Sequence, residues 1–275
     1  MTNIEWADET WSPVVGCSTV NEGCRNCYAI RECYRMGCNP NPTMRANYGG
    51  LVTPDGKNWT GVVRLLTDRL DRPALWKSPK LVFVNPMADL FHEEIPPSWL
   101  VEISDVMEVW DRHIYVILTK RWERMESMCS NIPPNMLLGV SVHDQASFNA
   151  AWPYLRETPA EGGGRVVSYE PALGPLVLPE DALTGARRLA WVICGGESGK
   201  LARRMDPEWA RDLLDQCVDA GIPFFFKQWG EWGPSSLERV GKKAAGRVLD
   251  GRTWDERPKL VGWRRTTTSG FRICR

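Results

Sequence analysis

The chain has no long apolar run. Its longest, such as "LAWVIC" (189–194), fall far short of the roughly 20 residues that a membrane-spanning helix requires, so no membrane segment is expected. The N-terminal "MTNIEWADET" is polar and acidic and lacks an apolar core. No secretory signal is therefore expected, and the expected location is the cytoplasm. An even cysteine count is missing too: there are nine. In a reducing compartment an odd set argues against a disulfide framework and makes clustered thiols better candidates for metal ligands. No internal sequence repeat is visible.

Net charge is also absent, with 34 Lys/Arg against 34 Asp/Glu. The balance hides an asymmetry. Residues 235–275 hold 11 basic and 4 acidic residues, or +7, which leaves 23 and 30, or −7, for residues 1–234. A basic end of this kind either touches nucleic acid or is a solvated tail.

What is present is a chain of 275 residues, 43% apolar, long enough to bury a sizeable core as one or two domains. Its fourteen tryptophans read first as core and rim packing. Short apolar runs recur at "KLVFVNP" (80–86), "HIYVILTK" (113–120), "MLLGVSV" (136–142), "GRVVSYEP" (164–171), "LAWVICGGE" (189–197) and "PFFFKQWG" (223–230). They show no polar alternation, which suits strands covered on both faces. Helical patterns lie between them. Residues 96–110 start on proline, and residues 206–221 open on an Asp cap and close on Gly. With a further strand in "TWSPVVG" (10–16), these units predict an α/β fold, a partial or complete parallel (βα) barrel over residues 1–233, followed by a basic C-terminal extension, 234–275.

The active site of such a barrel forms at the carboxyl ends of its strands. Here those ends carry polar and reactive side chains. They are Cys17, Asn85 and Asp89, then Thr119, Lys120 and Arg121, then Ser141, His143 and Asp144, then Ser168 and Glu170, then Gly195, Gly196, Glu197 and Ser198, and last Lys227 and Gln228. Glu170, Glu197 and Lys227 would be costly in a barrel mouth unless paired or ligating. Lys120 and Arg121 are candidate pocket cations for a carboxylate or phosphate. Asp89 and His92 could equally cap the next helix, and Trp229 and Trp232 could stack a base or simply pack.

Within "GCSTVNEGCRNCYA" (16–29), Cys17, Cys24 and Cys27 stand at C-x6-C-x2-C spacing, in the loop after the first strand. Three thiolates on a [4Fe–4S] cluster leave one iron open for a substrate or cofactor. A zinc site, with Cys33 or Cys38 as a fourth ligand, fits the spacing equally well. The remaining cysteines, Cys129, Cys194 and Cys217 with Cys33 and Cys38 if unused, read as small buried hydrophobes, and Cys274 as incidental.

The three cysteines followed by a parallel barrel resemble the radical S-adenosylmethionine (SAM) enzymes. The segments "EWADETWSPVVGC", "FVNPMADLFHE", "ILTKRWERM", "SYEPALGPL", "WVICGGESG", "PFFFKQWGEW" and "GRVLDGRTWDE" resemble, in order, a phage and prophage protein family of uncharacterised function that shares the three-cysteine motif. "NPMADLFHE" is more distantly similar to spore photoproduct lyase-like enzymes. The resemblance implies that Cys17, Cys24 and Cys27 hold a [4Fe–4S] cluster and that its open iron takes S-adenosyl-L-methionine. Tyr28 would lie at the adenine, and Asn85, Asp89, Ser141, Gly195 and Gly196 would be further cofactor contacts. Lys120, Glu170, Glu197 and Lys227 would be the catalytic candidates. Reductive cleavage would give methionine and a 5′-deoxyadenosyl radical that abstracts hydrogen from the substrate. Implied partners are a flavodoxin- or ferredoxin-like reductant and a nucleic acid or nucleotide substrate, in a host cytoplasm. Two features differ from the superfamily pattern: the first cysteine gap is six rather than three, and "GGE" (195–197) follows the sixth strand where the pattern has it after the second.

Two other classes remain open on the sequence. One is a zinc-stabilised, non-catalytic nucleic-acid-binding protein. The other is a barrel hydrolase with a divalent metal on Asp89, His143, Asp144 and Glu170.

Overall fold

The computed structural model describes residues 4–129, 133–159, 163–235 and 237–258. In chain order its elements are β1 (Glu9–Trp11), β2 (Val14–Val15), α1 (Tyr28–Gly37), α2 (Pro42–Tyr48), β3 (Arg64–Leu65), β4 (Leu81–Val84), α3 (Pro97–Val109), β5 (Ile114–Thr119), α4 (Trp122–Met128), β6 (Met136–Val142), α5 (Gln145–Glu157), β7 (Gly164–Tyr169), α6 (Glu180–Leu183), β8 (Leu189–Gly195), α7 (Pro207–Ala220), β9 (Phe224–Gln228) and α8 (Lys242–Ala245). Seven strands form one parallel sheet in the order β1-β4-β5-β6-β7-β8-β9, curled into a half-barrel. The expected parallel barrel is thus partial, with β1 and β9 as its two edges.

"TWSPVVG", expected as one strand, is two. Trp11 pairs in parallel with Val84, whereas Val14 and Val15 pair antiparallel with Leu65 and Arg64. The break falls at Pro13, which has no N–H to continue a ladder and whose carbonyl accepts from Leu66 N at 2.7 Å.

Both faces of the sheet are buried, which is why its strands read as apolar runs. Val84, Ile117, Val140, Val167, Val192 and Phe226 point outward into the main core, against Leu100 and Ile103 of α3, Phe148 and Leu155 of α5, and Leu213 of α7. The alternate positions Leu81, Val116, Leu137, Val166, Trp191, Ile193 and Phe225 point inward. Trp6, preceding β1, plugs this concave face. Its ring stands edge-on to Trp191 at 5.5 Å and lies 4.8 Å from Phe83. Each fully buried large side chain contributes about 1.5–3 kcal/mol.

The helices start and stop where local chemistry tells them to. Asp206 caps α7 by accepting from Glu208 N, Pro207 occupies the first turn, and Gly221 ends the helix in the left-handed region at φ 62°. Asp144 and Ser147 form a reciprocal cap on α5. Between β1 and β4 the chain makes a long excursion through α1, α2 and β3. This builds a third core of Val15, Ile30, Cys33, Tyr48, Leu51 and Trp59, against which Cys17 and Cys27 pack.

After β9 the chain turns back onto the sheet. Ala245 and Leu249 enter the main core, Trp254 stands edge-on to Phe224, and the Glu256 carbonyl accepts from Trp191 Nε1. Ion pairs Lys242–Glu5 (3.1 Å) and Arg257–Asp8 (3.1 Å) join this returning stretch to the segment before β1. Residues 259–275, with the basic Lys259, Arg264, Arg265, Arg272 and Arg275 and with Cys274, lie outside the described residues. Among the described residues no helix is long and apolar enough to cross a membrane.

Candidate functional site

A cavity of about 200 Å³ opens at the carboxyl ends of the parallel strands. The alternation of the concave face builds it: Phe83 and Leu118 continue the apolar floor, and Asn85, Lys120, Ser141, Ser168, Glu170 and Lys227 follow at the strand ends as its polar mouth. Of the thirteen site residues expected from the sequence, all but Gly195 line this cavity, Cys17, Cys24, Cys27 and Tyr28 included.

The cysteine loop is shaped before any ligand arrives. Gly16 holds a left-handed φ of 95°, and a Cβ there would sit 2.1 Å from the Val62 carbonyl oxygen, so only glycine lets the chain turn into Cys17. The Asn21 side chain caps the turn Glu22–Cys24 by accepting from Gly23 N at 3.0 Å. Cys27 stands just before the first residue of α1. Cys17, Cys24 and Cys27 are half-buried residues, whereas Cys33, Cys129, Cys194 and Cys217 are buried. Cys38, expected as a buried hydrophobe, is instead exposed at the C-terminal end of α1. Burial, then Asp89, push the Cys17 thiol up to about 12 against the pull of Arg121, and the neighbouring Cys27 and Cys24 add to the push. Burial likewise raises Cys27. Burial thus outweighs the pull of Arg121 on Cys17 and of Lys120 on Cys27.

Two clamps fix the loop. On one side buried Arg121 binds Glu93 through Nε (2.9 and 3.1 Å), Asp89 through Nη1 (3.3 Å), and the Ser18 hydroxyl through Nη2 (2.7 Å), with Cys17 Sγ 3.7 Å from Nη1. Asp89 also accepts from Thr119 Oγ1 (2.7 Å), Lys120 N (2.9 Å) and Phe91 N (3.0 Å). Its carboxylate is therefore taken up in holding β4, β5 and the cysteine loop together. His92 belongs to the same cluster, its Nε2 2.9 Å from Ser18 Oγ.

On the other side Glu197 accepts from Arg203 through Nη2 (2.6 Å), Nε (3.0 Å) and N (2.8 Å), and from Asn26 Nδ2 (2.9 Å). Arg203 also reaches the Glu22 carbonyl (2.9 Å), so the loop after β8 grips the cysteine loop at two points. Burial would raise the Glu197 carboxyl, but its bonds to Arg203 and Asn26 outweigh burial and hold it below the usual carboxylate range. Expected as a catalytic candidate, Glu197 is engaged on both oxygens as a loop clamp.

Glu170 and Lys227 differ. Their ion pair (2.9 Å) leaves each side chain 17% exposed to the cavity. Glu170 follows β7 and Lys227 lies on β9, with β8 between them. Gly195 makes the span possible, because a Cβ there would come within 2.7 Å of Glu170 Oε1 and 3.4 Å of Lys227 Cβ. Gly195 thus acts through this pair and not as a lining contact. Ser168 Oγ donates to Glu170 Oε2 at 3.2 Å.

Lys120 lines the cavity and forms no ion pair among the described residues. Asn85, in a left-handed conformation at φ 54°, accepts from Val14 N through Oδ1, while its buried Nδ2 has no partner. The buried Oε1 of Gln228 is likewise unpartnered. Orphaned buried polar atoms lining a cavity call for a ligand that satisfies them.

Several candidates fall elsewhere. Asp144 caps α5, and the His143 ring packs against Gly23; neither lines the cavity, so the hydrolase group of Asp89, His143, Asp144 and Glu170 is not assembled. Trp229 is core, edge-on to Phe226, and Trp232 donates to the Ala202 carbonyl beneath Arg204. Asn26, Arg203, Trp6 and Trp59 were not singled out by sequence reasoning. Asn26 alone had a signal, lying inside the cysteine motif. Among the described residues no three His, Cys, Asp or Glu side chains meet closely enough to hold one metal ion.

The family described as "Protein of unknown function (DUF5131)" matches residues 1–258, and the chain belongs to that family. No curated protein and no solved structure matches the chain.

Proposed function

We propose that this member of the family is a radical S-adenosylmethionine enzyme, with a [4Fe–4S] cluster on Cys17, Cys24 and Cys27 and S-adenosyl-L-methionine in the adjoining cavity. The observation that carries the reading is placement. The three motif cysteines, on one shaped loop, line the cavity at the carboxyl ends of a parallel half-barrel, together with Tyr28 and three residues with buried polar atoms that lack partners, Trp6 Nε1, Asn85 Nδ2 and Gln228 Oε1.

The donor set fits the group. A single zinc needs its ligands to converge on one point, whereas a four-iron cluster offers each thiolate its own iron. The thiols influence one another electrostatically. Held by Cys17, Cys24 and Cys27, a cluster would supply one-electron reduction of the S-adenosylmethionine sulfonium, the electron coming from a flavodoxin- or ferredoxin-like reductant.

The chain's own residues bind, orient and exclude water. Lys120 offers an unpaired ammonium to the methionine carboxylate, and Asn85 Nδ2 offers a donor. Trp6, Phe83 and Leu118 keep the floor dry. Tyr28, whose hydroxyl donates to the Pro86 carbonyl at 2.8 Å, presents its ring as a wall for the adenine. The Glu170–Lys227 ion pair stands at the same cavity wall, facing the substrate.

The test is anaerobic reconstitution followed by iron and sulfide analysis. About four irons per chain and a brown chromophore are expected, lost in Cys17→Ala, Cys24→Ala and Cys27→Ala but kept in Cys129→Ala and Cys217→Ala. Full iron in Cys24→Ala, or a colourless protein with one zinc, would refute the reading.

A further inference from the structure

A second cavity, of about 480 Å³, adjoins the first. Tyr28, Pro86, Ser198, Lys227 and Gln228 line both, so these residues form a shared wall. The second cavity fills the open side of the half-barrel. Thr10 and Ser12 come from the β1 side, while Glu231 and Lys242 come from the β9 side. At its base the two sides are tied by Lys242–Glu5.

The lining is unevenly charged. Arg31, Arg69, Arg72, Lys227 and Lys242 face only Glu32 and Glu231, five cations against two carboxylates. Lys227 is paired with Glu170, Lys242 with Glu5, and Arg31 with Glu32 at 3.8 Å. Arg69 and Arg72 form no ion pair among the described residues. Arg69 is held in place nonetheless: its Nη1 donates to Tyr48 Oη at 2.8 Å, and its guanidinium lies 5.5 Å from that ring's centre.

We infer that this lateral chamber binds a phosphate-bearing substrate, its phosphates on Arg69 and Arg72 and its reacting end at the Lys227–Gln228 wall. A lone carboxylate would satisfy one guanidinium. Two unpaired guanidinia three residues apart match an anion with more than one charge, and the planar fork of arginine suits phosphate. The shared wall supplies the rest of a nucleotide's recognition. The Tyr28 residue is 37% exposed and offers a stacking face, and Gln228 stands beside it on the shared wall. Free nucleotide and nucleic acid strand share this chemistry. The chemistry performed on the substrate rests on the cofactor reading above; the binding does not.

The experiment is fluorescence anisotropy on the full-length reconstituted protein, with labelled single-stranded DNA and RNA oligonucleotides at several salt concentrations and a mononucleotide as competitor. Iron and sulfide are counted on the same samples. Arg72→Glu, an exposed side chain without partners, should weaken binding at least tenfold. Arg69→Gln/Arg72→Gln should weaken it further and lower the slope of log affinity against log salt by about one per phosphate contact removed. Lys243→Gln, outside the chamber, should stay within twofold of the parent. Displacement by mononucleotide identifies a free nucleotide as the source; resistance to it identifies a strand. Unchanged affinity in Arg72→Glu, or no binding even at low salt, would overturn the chamber. Arginine-dependent binding by a protein that never takes up iron would leave the chamber standing and refute the cofactor reading.

Discussion

The concave face of the half-barrel has two halves made from the same strands, and they differ in kind. Toward the amino ends the inward positions are Leu81, Val116, Leu137, Val166, Trp191 and Phe225. Toward the carboxyl ends the same alternation delivers Asn85, Lys120, Ser141, Ser168, Glu170 and Lys227. The lower half stabilises the fold and reacts with nothing. The upper half carries polar groups that apolar packing cannot satisfy, and the chain holds its buried charges by pairing them. The division also runs through the carboxylates of the mouth: Glu197 and Asp89 are bound on both oxygens as loop clamps, while Glu170 shares its charge with a single lysine at the cavity wall.

The comparison breaks most visibly at the floor. Trp191→Ala should cost about 3–5 kcal/mol in chemical denaturation, because it opens a cavity beneath Trp6 and Phe225. The clamp comes next. Arg203→Ala leaves Glu197 buried and unpaired and should cost about 2–3 kcal/mol. It should also lower iron uptake, which Trp191→Ala in its folded fraction should not. Glu197 carries a pH signature as well. Its folded-state carboxyl is held low, so the stability it gives is complete above the ordinary glutamate range and is lost as pH falls through the lower folded value. The acid limb of a stability–pH curve below about pH 4 should therefore flatten in Glu197→Gln.

Gly195→Ala tests the mouth without touching a charge. The added methyl should force Glu170 from Lys227 and cost about 1–2 kcal/mol in chemical denaturation. Lys120→Met should be the mildest for the fold, within about 0.5 kcal/mol of the parent. The same change should weaken S-adenosylmethionine binding about tenfold in an equilibrium titration, for loss of a charge-assisted bond. That combination, little stability and much affinity, is what separates mouth from floor.

Much of this could be read in the sequence, for identifiable reasons. Strands buried on both faces have to be continuously apolar, so six of the seven sheet strands show as apolar runs, while the edge strand β1, "ETW", shows only as part of a longer expected run. Pro97, Asp206 and Gly221 mark helix ends through backbone chemistry local to each. The strand ends then give the cavity lining by simple alternation. What was hidden depends on partners distant in sequence. Glu170 and Glu197 look alike in the sequence, since both follow a strand. The difference is Arg203 and Asn26, the latter 171 residues away. The division of "TWSPVVG" at Pro13 turns on β3, a two-residue strand too short to have a pattern. Arg69 and Arg72 sit in short turns with no period, and only the closing of β1 toward β9 brings them to one chamber with Lys227.

The most direct test of the central claim is the electron paramagnetic resonance spectrum of the reduced, reconstituted protein with and without S-adenosyl-L-methionine. The account predicts a [4Fe–4S] signal whose g values shift on addition, with Lys120→Met needing more of the compound to reach the same shift. A fully loaded cluster whose spectrum does not change at saturating S-adenosyl-L-methionine would contradict it.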